Sequence, residues 1–564
     1  MKKNRDSVIL GAILLLNFTL TAIGLNWGLP NRWCVDEQVA NSLKLVASKS
    51  VFTVITNVHP QLYNLFLGSL FVPYLAFKKI VGFPLDKAAS LANISWMDMA
   101  HSFGGFASGL YLIARLSSAL LGVLTVYFLY RITAIIHNKK AALFAALTLA
   151  VSMGFVETNH LAKHTSLVVF LVLLVLFFCL KSLAERKYFR RYFFLASFSC
   201  GLATTAKLDG IISSLFILGT IIYFIFQDNS GKTFKERISC FDLKLILVSA
   251  LLFISGVIIG CPALLVNSDK YFQTRLTHNG IFYGGFHSLN SVYLLAIAEK
   301  LKDSIVLLIR NFSIPLSIFI FWGVFSFFRN IKRSPYSVVI AAMFIPYTFI
   351  SLAYFTEYPG ISTKLIVHAL ILSCIFAGKV IADFLSAEKR LLTLKSVFIT
   401  AVFLFAISYT LQADFFFCFR DTRYQSTAWI LKNIAPDKTI EHYQEGENIF
   451  STSEIPFKYD VIFWGRHSND YRGKKSLYLR NVDEKLRYRE ELNKSGSRAD
   501  FFIIALGTEF VMEKPSRGTF LYRLHEGEAA DYRLVKVFDS GENFFIRPRP
   551  EWTSPSIFIF KKAD

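Results

Sequence analysis

Apolar residues of this chain cluster into runs of about 16 to 25 residues. A helix needs about 20 such residues to cross the hydrocarbon core of a bilayer, whereas a soluble core helix is shorter and carries polar residues along one face. The 564 residues are 54% hydrophobic, which supplies enough of these runs for many crossings. The runs therefore predict a polytopic α-helical membrane protein and argue against an ordinary soluble domain.

About eleven of the runs have the length of a transmembrane helix. They cover residues 8–25, 115–134, 141–156, 165–183, 192–206, 210–226, 245–262, 304–328, 337–355, 365–386 and 396–412.

Positively charged loops set the orientation of these spans. Six of the regions between them hold 20 Lys and Arg residues, whereas the alternate short loops hold only Lys163, Lys207 and Lys364. Basic loops stay in the cytoplasm. The pattern predicts a multi-pass protein of a plasma or inner membrane with a cytoplasmic N-terminus and two large outer loops, at 26–114 and 263–303.

The apolar stretch at 62–81 breaks this alternation, because counting it as one crossing would put Lys2 and Lys139 on opposite sides. The distribution of basic residues leaves two alternatives. Either the stretch lies along or re-enters the outer leaflet, or a weaker segment near 91–112 returns the chain. In both cases Asp36 and Arg115 are expected on the outer side.

The composition changes after Leu411, where the long apolar runs end. Residues 424–434 have the pattern of a helix, and four segments have the composition of short strands: 500–506, 519–524, 532–538 and 556–562. We therefore expect a transmembrane domain over 1–412, followed by a soluble α/β domain on the outer face over 413–564.

The net charge of +21 does not indicate a nucleic-acid partner. Residues from Asp414 onward hold 24 Lys and Arg against 23 Asp and Glu, so the excess, 37 against 17, belongs to the membrane part. There the basic residues serve orientation next to membrane lipids. The seven cysteines form no C-x-x-C pair, and we find no P-loop, G-x-G-x-x-G or D-x-D motif. These motifs therefore predict neither a zinc site nor a nucleotide-sugar site.

An acidic pair, Asp36-Glu37, follows the first span in the first outer loop. Two interpretations are open. The carboxylates complement the dipole of a helix that begins nearby, or Asp36 is a general base. A base at this surface would take the proton of an acceptor hydroxyl as its oxygen attacks a sugar carbon.

Isolated cations occur at the outer ends of three spans, at Arg115, Lys207 and Lys364. Each has an ordinary explanation, since Arg115 is able to extend to lipid headgroups and Lys207 to pair with Asp209. Together, outer cations in a protein whose positive charge is otherwise cytoplasmic fit the stabilisation of a phosphate leaving group. A phosphate leaves as an anion and needs no general acid.

Other polar residues of the outer loops are auxiliary candidates. They are His59, Glu157, Lys163, His278, Tyr283 and His287. The last three lie in a glycine- and aromatic-rich loop, which is compatible both with closure over a lipid-linked sugar and with plain packing at the membrane surface.

The order of these motifs resembles that of the superfamily of dolichyl-phosphate-mannose protein mannosyltransferases and aminoarabinose transferases, glycosyltransferase family 39 of the GT-C fold. The resemblance covers the membrane part, and its motifs are Asp36-Glu37, His59-Pro60-Gln61-Leu62, Ala114-Arg115-Leu116 and Ala206-Lys207. It implies an inverting glycosyltransferase of class EC 2.4 that takes its sugar from a polyprenyl-phosphate carrier. The acceptor, a glycan, a lipid or a protein, stays open.

The same resemblance implies roles for individual residues. Asp36 would be the catalytic base with Glu37 as its neighbour, and three cations would hold the donor phosphate: Arg115, Lys207 and Lys364. This chain departs from the family at Gln61, where relatives carry a second proline, and in the second outer loop. There many relatives place an aspartate, whereas Glu157 is the only carboxylate here. The resemblance therefore implies no certain cofactor. A divalent metal is possible, but these residues do not indicate one.

The main alternative is a membrane transporter of lipid-linked or small polar substrates. Transporters usually contain internal repeats and interrupted helices, with charges deep in the spans. This sequence has no obvious repeat, and its candidate charges lie at the ends of spans. A third alternative, a scaffold that displays the C-terminal domain, leaves the series Asp36-Glu37, His59 and Arg115 without explanation.

Overall fold

The structure is a computed structural model, and it describes fourteen stretches of the chain. They are residues 2–29, 34, 37–52, 61–82, 96–226, 242–269, 291–331, 336–354, 363–386, 391–445, 460–464, 499–506, 531–539 and 556–563.

The chain divides into two compact units. The first comprises Met1–Ala22, Asn41–Tyr74 and Ala114–Leu411, and the second comprises Ile23–Ala40, Leu75–Ile113 and Gln412–Asp564. Two stretches of the predicted first outer loop thus belong to the same unit as the C-terminal residues. The predicted boundary between independent domains at 412/413 stays a prediction.

Most of the described residues are α-helical. The helices are α1 (Lys2–Ala22), α2 (Val39–Ala47), α3 (Leu62–Ile80), α4 (Trp96–Ile136), α5 (Lys139–Ala150), α6 (Met153–His160), α7 (His164–Ala184), α8 (Phe189–Ala206), α9 (Ser214–Phe226), α10 (Leu243–Gly260), α11 (Ser291–Phe312), α12 (Ile314–Arg329), α13 (Ser337–Tyr354), α14 (Thr363–Ser386), α15 (Leu392–Phe415) and α16 (Thr422–Asn433).

Seven helices among the described residues are long and apolar enough to cross a membrane. A further pair, Lys139–Ala150 and Met153–His160, is bent by 60° and raises the number to eight if it forms one span. The prediction of a polytopic helical membrane protein is confirmed. The predicted number of about eleven crossings is not confirmed.

Residues 62–81 form the helix α3, which contains Pro73 and ends with Lys78 and Lys79. This helix is not among the seven that are apolar enough to cross a membrane. Residues 96–112, within the weak segment considered above, form the beginning of the 41-residue helix α4. The orientation of these elements in the membrane stays a prediction.

The predicted span 304–328 is not one helix, and this expectation was wrong. Helix α11 ends at Phe312, and α12 begins at Ile314 with a proline in its first turn. Ser313 between them has a φ of +66°, a left-handed conformation that interrupts a helix of L-residues. Pro315 lacks an N–H group and is tolerated in the first turn of a helix, so it fits a new start rather than a continuation.

Helices α8 and α10 approach closely through two glycines. A Cβ atom on Gly201 would lie 2.1 Å from the Phe253 carbonyl oxygen, and one on Gly256 would lie 2.4 Å from that of Phe198. Small residues permit such contacts between membrane helices, which gain stability from close packing. The two glycines face each other, since a Cβ on Gly201 would lie 3.1 Å from Cα of Gly256.

Gly201→Ala is therefore expected to destabilise the protein by about 1–3 kcal/mol, since the backbones must separate to admit the new methyl group. Thermal unfolding of the purified protein in one detergent measures the effect. Gly11→Ala is the matched control, because no atom lies within 4 Å of the Cβ that it would add. Equal melting temperatures for the two variants would contradict the described packing.

His137 lies just beyond the C-terminal end of α4, outside the apolar part of that helix. Burial and the nearby Lys379 lower the pKa of its imidazole to about 4, against the smaller opposing effect of Asp383. A lowered pKa means that the folded protein disfavours the charged imidazole. The neutral form therefore contributes full stability above the ordinary pKa of 6.5, and this contribution is lost as the pH falls towards 4.

The melting temperature of the wild-type protein is thus expected to fall between pH 7 and pH 5 by more than that of His137→Gln, measured in one detergent and salt concentration. Lys379→Gln should weaken the pH dependence as well, because it removes a charge that disfavours imidazolium. If the melting temperature depended on pH equally in all three proteins, His137 would be excluded as the source of that dependence.

The C-terminal residues form a five-stranded mixed sheet of order β2-β1-β3-β5-β4. Its strands are β1 (Thr439–Glu445), β2 (Asp460–Trp464), β3 (Phe501–Leu506), β4 (Tyr532–Phe538) and β5 (Ser556–Lys562). β1 pairs in parallel with β2 and β3, and β5 pairs antiparallel with β3 and β4. With α16, these strands confirm the predicted C-terminal α/β region; the segment 519–524 lies outside the described residues.

Candidate functional site

Five of the candidate residues lie outside the described residues, so their roles stay predictions. They are Asp36, His59, His278, Tyr283 and His287. Lys364 lies in the first turn of α14, where the course of the helix is described but this side chain is not.

Glu37 belongs to the second compact unit and directly precedes α2. Its side chain is 1% exposed, and its N–H donates to the carbonyl of Cys34 at 3.4 Å. Burying a carboxylate is costly unless cations or hydrogen-bond donors surround it. The acidic pair thus ends in a buried residue rather than on an exposed helix surface.

Arg115 in the first unit is completely buried on α4. The expectation that it extends to lipid headgroups, its ordinary explanation, therefore does not hold. Ser118 and Gly122 follow at helical spacing on the same face. The Ser118 hydroxyl lies 2.9 Å from the Tyr63 hydroxyl, and a Cβ on Gly122 would lie 2.9 Å from Cγ of Asn159. This face of α4 therefore packs against polar side chains.

The segment from α6 into the first turn of α7 carries several of these polar side chains. Glu157 and Lys163, the two auxiliary candidates in it, are 5% and 4% exposed. His160 is fully buried with Nδ1 3.1 Å from the carbonyl oxygen of Thr21, and His164 is 5% exposed. Ionisable residues that are buried between apolar helices are costly and usually functional.

His160 and His164 were not among the candidates from the sequence. A signal was available, because both lie between the two long apolar runs at 141–156 and 165–183. This stretch was predicted as one of the short outer loops between spans. The structure shows instead a polar layer within the helices of the first unit.

Lys207 directly follows the last residue of α8, and its ammonium donates to the Asp209 carboxylate at 2.6 Å. The two side chains are 15% and 23% exposed. The local pair that served as the ordinary explanation of Lys207 is therefore present. To bind a phosphate, this ammonium must either divide its hydrogen bonds between Asp209 and the phosphate or release Asp209.

His368, on α14, is a third residue that was not among the candidates from the sequence. Its side chain is 2% exposed, and its ring lies edge-on to Tyr347 with centroids 5.0 Å apart. Among the described residues, Nε2 has no hydrogen-bond partner. The imidazole lies within electrostatic reach of Lys207 and Asp209. A histidine one turn after Lys364 in an apolar run was the available signal.

The described stretches contain no group of three or more His, Cys, Asp and Glu residues that could hold a metal ion. The described candidates in the first unit combine two buried cations, Arg115 and Lys163, with Lys207, which is paired with Asp209. Such a set is suited to binding an anion in a medium of low polarity.

Comparisons with known proteins identify one family model, described as dolichyl-phosphate-mannose-protein mannosyltransferase, which matches residues 108–259. The matched stretch includes Arg115, Glu157, Lys163 and Lys207. For that stretch, the resemblance predicted from the motifs is confirmed. None of the curated proteins matches the chain.

Two solved structures are similar over almost the whole chain. ArnT from Cupriavidus metallidurans, bound to undecaprenyl phosphate, is 12% identical, with 99% of this chain and 98% of that one covered and a TM-score of 0.48. The oligosaccharyltransferase AglB from Archaeoglobus fulgidus, in complex with an inhibitory peptide and a dolichol-phosphate, is 13% identical, with coverage of 100% and 89% and a TM-score of 0.49. Both TM-scores lie below 0.5, so neither structure decides the fold of this chain.

Proposed function

We propose that this chain is a membrane glycosyltransferase that transfers a sugar from a polyprenyl-phosphate carrier to an acceptor hydroxyl on the outer face of the membrane, with inversion. The burial of Arg115 supports this proposal most directly. A guanidinium at 0% exposure, inside the stretch that the mannosyltransferase model matches, is a costly feature of an apolar helix bundle. A phosphate bound at this position would place a negative charge beside the buried guanidinium.

Arginine is suited to this role because its planar group donates parallel hydrogen bonds to two phosphate oxygens. Surrounding helices hold it in place, so little reorganisation is needed as charge develops. Lys207 is the second phosphate ligand. Its ammonium releases the Asp209 carboxylate and binds the donor phosphate instead. Lys364 is the third, at the beginning of α14.

The reaction begins when Asp36 accepts the proton of the acceptor hydroxyl, with Glu37 beside it. The hydroxyl oxygen forms a bond to the anomeric carbon as the bond from that carbon to the phosphate oxygen breaks. The carrier leaves as a phosphate monoester, which carries one more negative charge than the diester donor. The cations bind this additional charge more tightly in the transition state than in the ground state, and that difference accelerates the reaction.

A substrate panel tests the proposal. The full-length protein in lipid nanodiscs is incubated with radiolabelled polyprenyl-phosphate sugars, and the release of free carrier phosphate is measured with candidate acceptors. The product from an active donor is expected to have the opposite anomeric configuration, which proton NMR coupling constants measure. In sealed vesicles, movement of labelled donor across the bilayer without release of carrier would instead indicate the transporter.

The orientation has its own test in intact cells. Single cysteines placed at Lys140 and Asp269 are expected to differ in their reaction with a maleimide that does not cross the membrane. Lys140 lies in a predicted cytoplasmic loop, and Asp269 lies in the large predicted outer loop 263–303. Reaction at Lys140 and not at Asp269 would overturn the proposed outer-face site.

A further inference from the structure

The beginning of α3 carries three polar side chains that are buried within the first compact unit. Gln61, Tyr63 and Asn64 are 1% to 2% exposed. Burying a polar group is costly unless a hydrogen bond satisfies it. The partners of these side chains therefore indicate what the beginning of α3 contributes to the unit.

Two of the three side chains connect α3 to neighbouring elements of the same unit. The Cys261 thiol, directly after α10, donates weakly to Oε1 of Gln61 at 3.9 Å. The Ser42 hydroxyl on α2 donates to Oδ1 of Asn64 at 3.1 Å. These bonds lie on either side of Tyr63 in sequence, so they hold the backbone that carries its side chain.

Tyr63 itself contacts α4. Its hydroxyl lies 2.9 Å from the hydroxyl of Ser118, and we call these two groups the hydroxyl pair. A phenol is more acidic than an aliphatic hydroxyl and is therefore the better hydrogen-bond donor. We accordingly assign the hydrogen of this bond to Tyr63. Ser118 then accepts with its oxygen and keeps its own hydrogen.

The hydrogen that Ser118 keeps needs an acceptor. In a helix, a serine hydroxyl commonly donates to the carbonyl three or four residues earlier. The carbonyl four residues before Ser118 is that of Ala114, and the Ser117 hydroxyl already donates to it at 2.7 Å. Among the described residues, Ser118 has no hydrogen-bond partner besides Tyr63, although it is 0% exposed. Its hydrogen is therefore available to a ligand.

Ser118 shares a helix face with Arg115. The two residues lie three positions apart on α4, which places their Cβ atoms about 5–6 Å from each other. Both side chains are 0% exposed. The ligand that Arg115 is proposed to bind is a phosphate, and each phosphate oxygen accepts more than one hydrogen bond. One phosphate is thus able to bind the guanidinium and the serine hydroxyl together.

We infer that the hydroxyl pair belongs to the donor site, with Ser118 donating to an oxygen of the carrier phosphate and Tyr63 as its positioning residue. This inference rests on the phosphate site of the proposed function, and it adds a neutral ligand to the proposed cations. Tyr63 fixes the direction in which the Ser118 oxygen accepts. It also strengthens the donation, because a hydroxyl that accepts a hydrogen bond is polarised and becomes a better donor.

Ser118→Ala tests the contact to the phosphate. We expect the Kd for polyprenyl phosphate without a sugar to rise about tenfold, because a hydrogen bond to a charged group is lost. KM for the sugar donor should rise by a similar factor. Equilibrium binding to the full-length protein in lipid nanodiscs measures the first value, and initial rates of transfer measure the second.

Thr125→Val is the matched control on the same helix. Thr125 is also 0% exposed, but its hydroxyl donates to the Leu121 carbonyl of its own helix at 2.8 Å. Valine keeps the shape of threonine and removes only the hydroxyl. Kd and KM of this variant are expected to stay within about twofold of wild type, with thermal unfolding of every variant measured in parallel.

Tyr63→Phe tests the positioning role. We expect Kd for the bare carrier to rise about fivefold, because the Ser118 hydroxyl loses the bond that orients it. The double variant Tyr63→Phe/Ser118→Ala should bind no more weakly than Ser118→Ala, since Tyr63 acts through Ser118. Ser42→Ala removes the neighbouring bond to Asn64 and controls for a loosened α3. It should lower the melting temperature and leave Kd unchanged.

Three results would overturn the inference. Equal Kd values for the bare carrier in Ser118→Ala and Thr125→Val would remove Ser118 from the phosphate. A loss of affinity confined to the sugar-bearing donor would assign the contact to the sugar instead. Additive losses in the double variant, or an equal loss in Ser42→Ala, would make Tyr63 a merely structural contact.

The proposed function fails separately from this inference. A wild-type protein that binds the carrier phosphate but transfers sugar from no donor would overturn the transferase, and the Kd of Ser118→Ala for the bare carrier would still decide the inference. Sugar transfer by the wild type, together with wild-type Kd and KM in Ser118→Ala, would overturn the hydroxyl pair alone. A wild-type protein that binds no carrier phosphate would overturn both.

Discussion

Replacing Asp36 by asparagine is expected to lower kcat for sugar transfer by about 10²- to 10⁴-fold, while the equilibrium affinity for the polyprenyl-phosphate donor stays within about threefold of wild type. An asparagine amide keeps the size of the carboxylate but does not act as a base. The acceptor hydroxyl then attacks without a base. Single-turnover release of labelled carrier phosphate measures this step separately from product release.

The pH dependence of kcat/KM gives a second measurement of the same role. A carboxylate base must be ionised, so kcat/KM of the wild-type protein should decrease as the pH falls. Asp36→Asn should not show this decrease at low pH. Asp269→Asn serves as the control, because this exposed carboxylate lies in the predicted large outer loop and has no proposed role. Normal turnover by Asp36→Asn would remove the base from the mechanism, whatever the position of the cations.

The prediction of helices from apolar runs succeeded where nothing interrupts the backbone. The predicted span 192–206 ends at the same residue as α8, because Lys207 and Asp209 follow directly in sequence. At 304–328 the same rule failed, since hydropathy does not register a left-handed Ser313 next to Pro315. Hydropathy averages composition, whereas the break depends on two individual residues.

In the sheet, β3, β4 and β5 were predicted from the sequence, whereas β1 and the short strand β2 were not. The segments 532–538 and 556–562 were expected as strands and match β4 and β5. β1 reads Thr-Ile-Glu-His-Tyr-Gln-Glu, in which Thr, Ile and Tyr favour a strand and the two Glu residues do not. Its conformation comes from pairing with β2 and β3 on both sides, which the local sequence does not contain.

Within the candidate site, residue types were predictable and burial was not. Arg115 was identified from its position at the outer end of an apolar run, but the same position is typical of an arginine that reaches the lipid headgroups. Its complete burial follows from the packing of α4 and excludes the explanation by lipid headgroups, while its role in phosphate binding stays a proposal. His368 was missed for the converse reason, since a lone histidine in an apolar run gives little signal until its neighbours are known.

Replacing Arg115 is expected to have the second large effect. Two different substitutions separate the contribution of its charge from that of its two parallel hydrogen-bond donors. Arg115→Lys keeps the positive charge but loses the planar pair of donors, so we expect KM for the donor to rise about tenfold. Arg115→Leu removes the charge and is expected to lower kcat/KM by about 10²- to 10³-fold. Initial rates over a range of donor concentrations, with thermal unfolding measured in parallel, separate the binding effect from a folding defect.

Arg131 provides a control on the same helix. It lies near the C-terminal end of α4, where its guanidinium donates to the Tyr127 hydroxyl at 2.6 Å and lies 5.7 Å from the Phe177 ring centroid. Arg131→Lys should therefore leave KM for the donor unchanged, because the predicted orientation places it at the cytoplasmic end of the span. If both lysine variants raised KM equally, the effect would come from the stability of α4 and not from a phosphate bound at Arg115. A difference confined to Arg115 would instead mean that its forked donors contact the carrier phosphate.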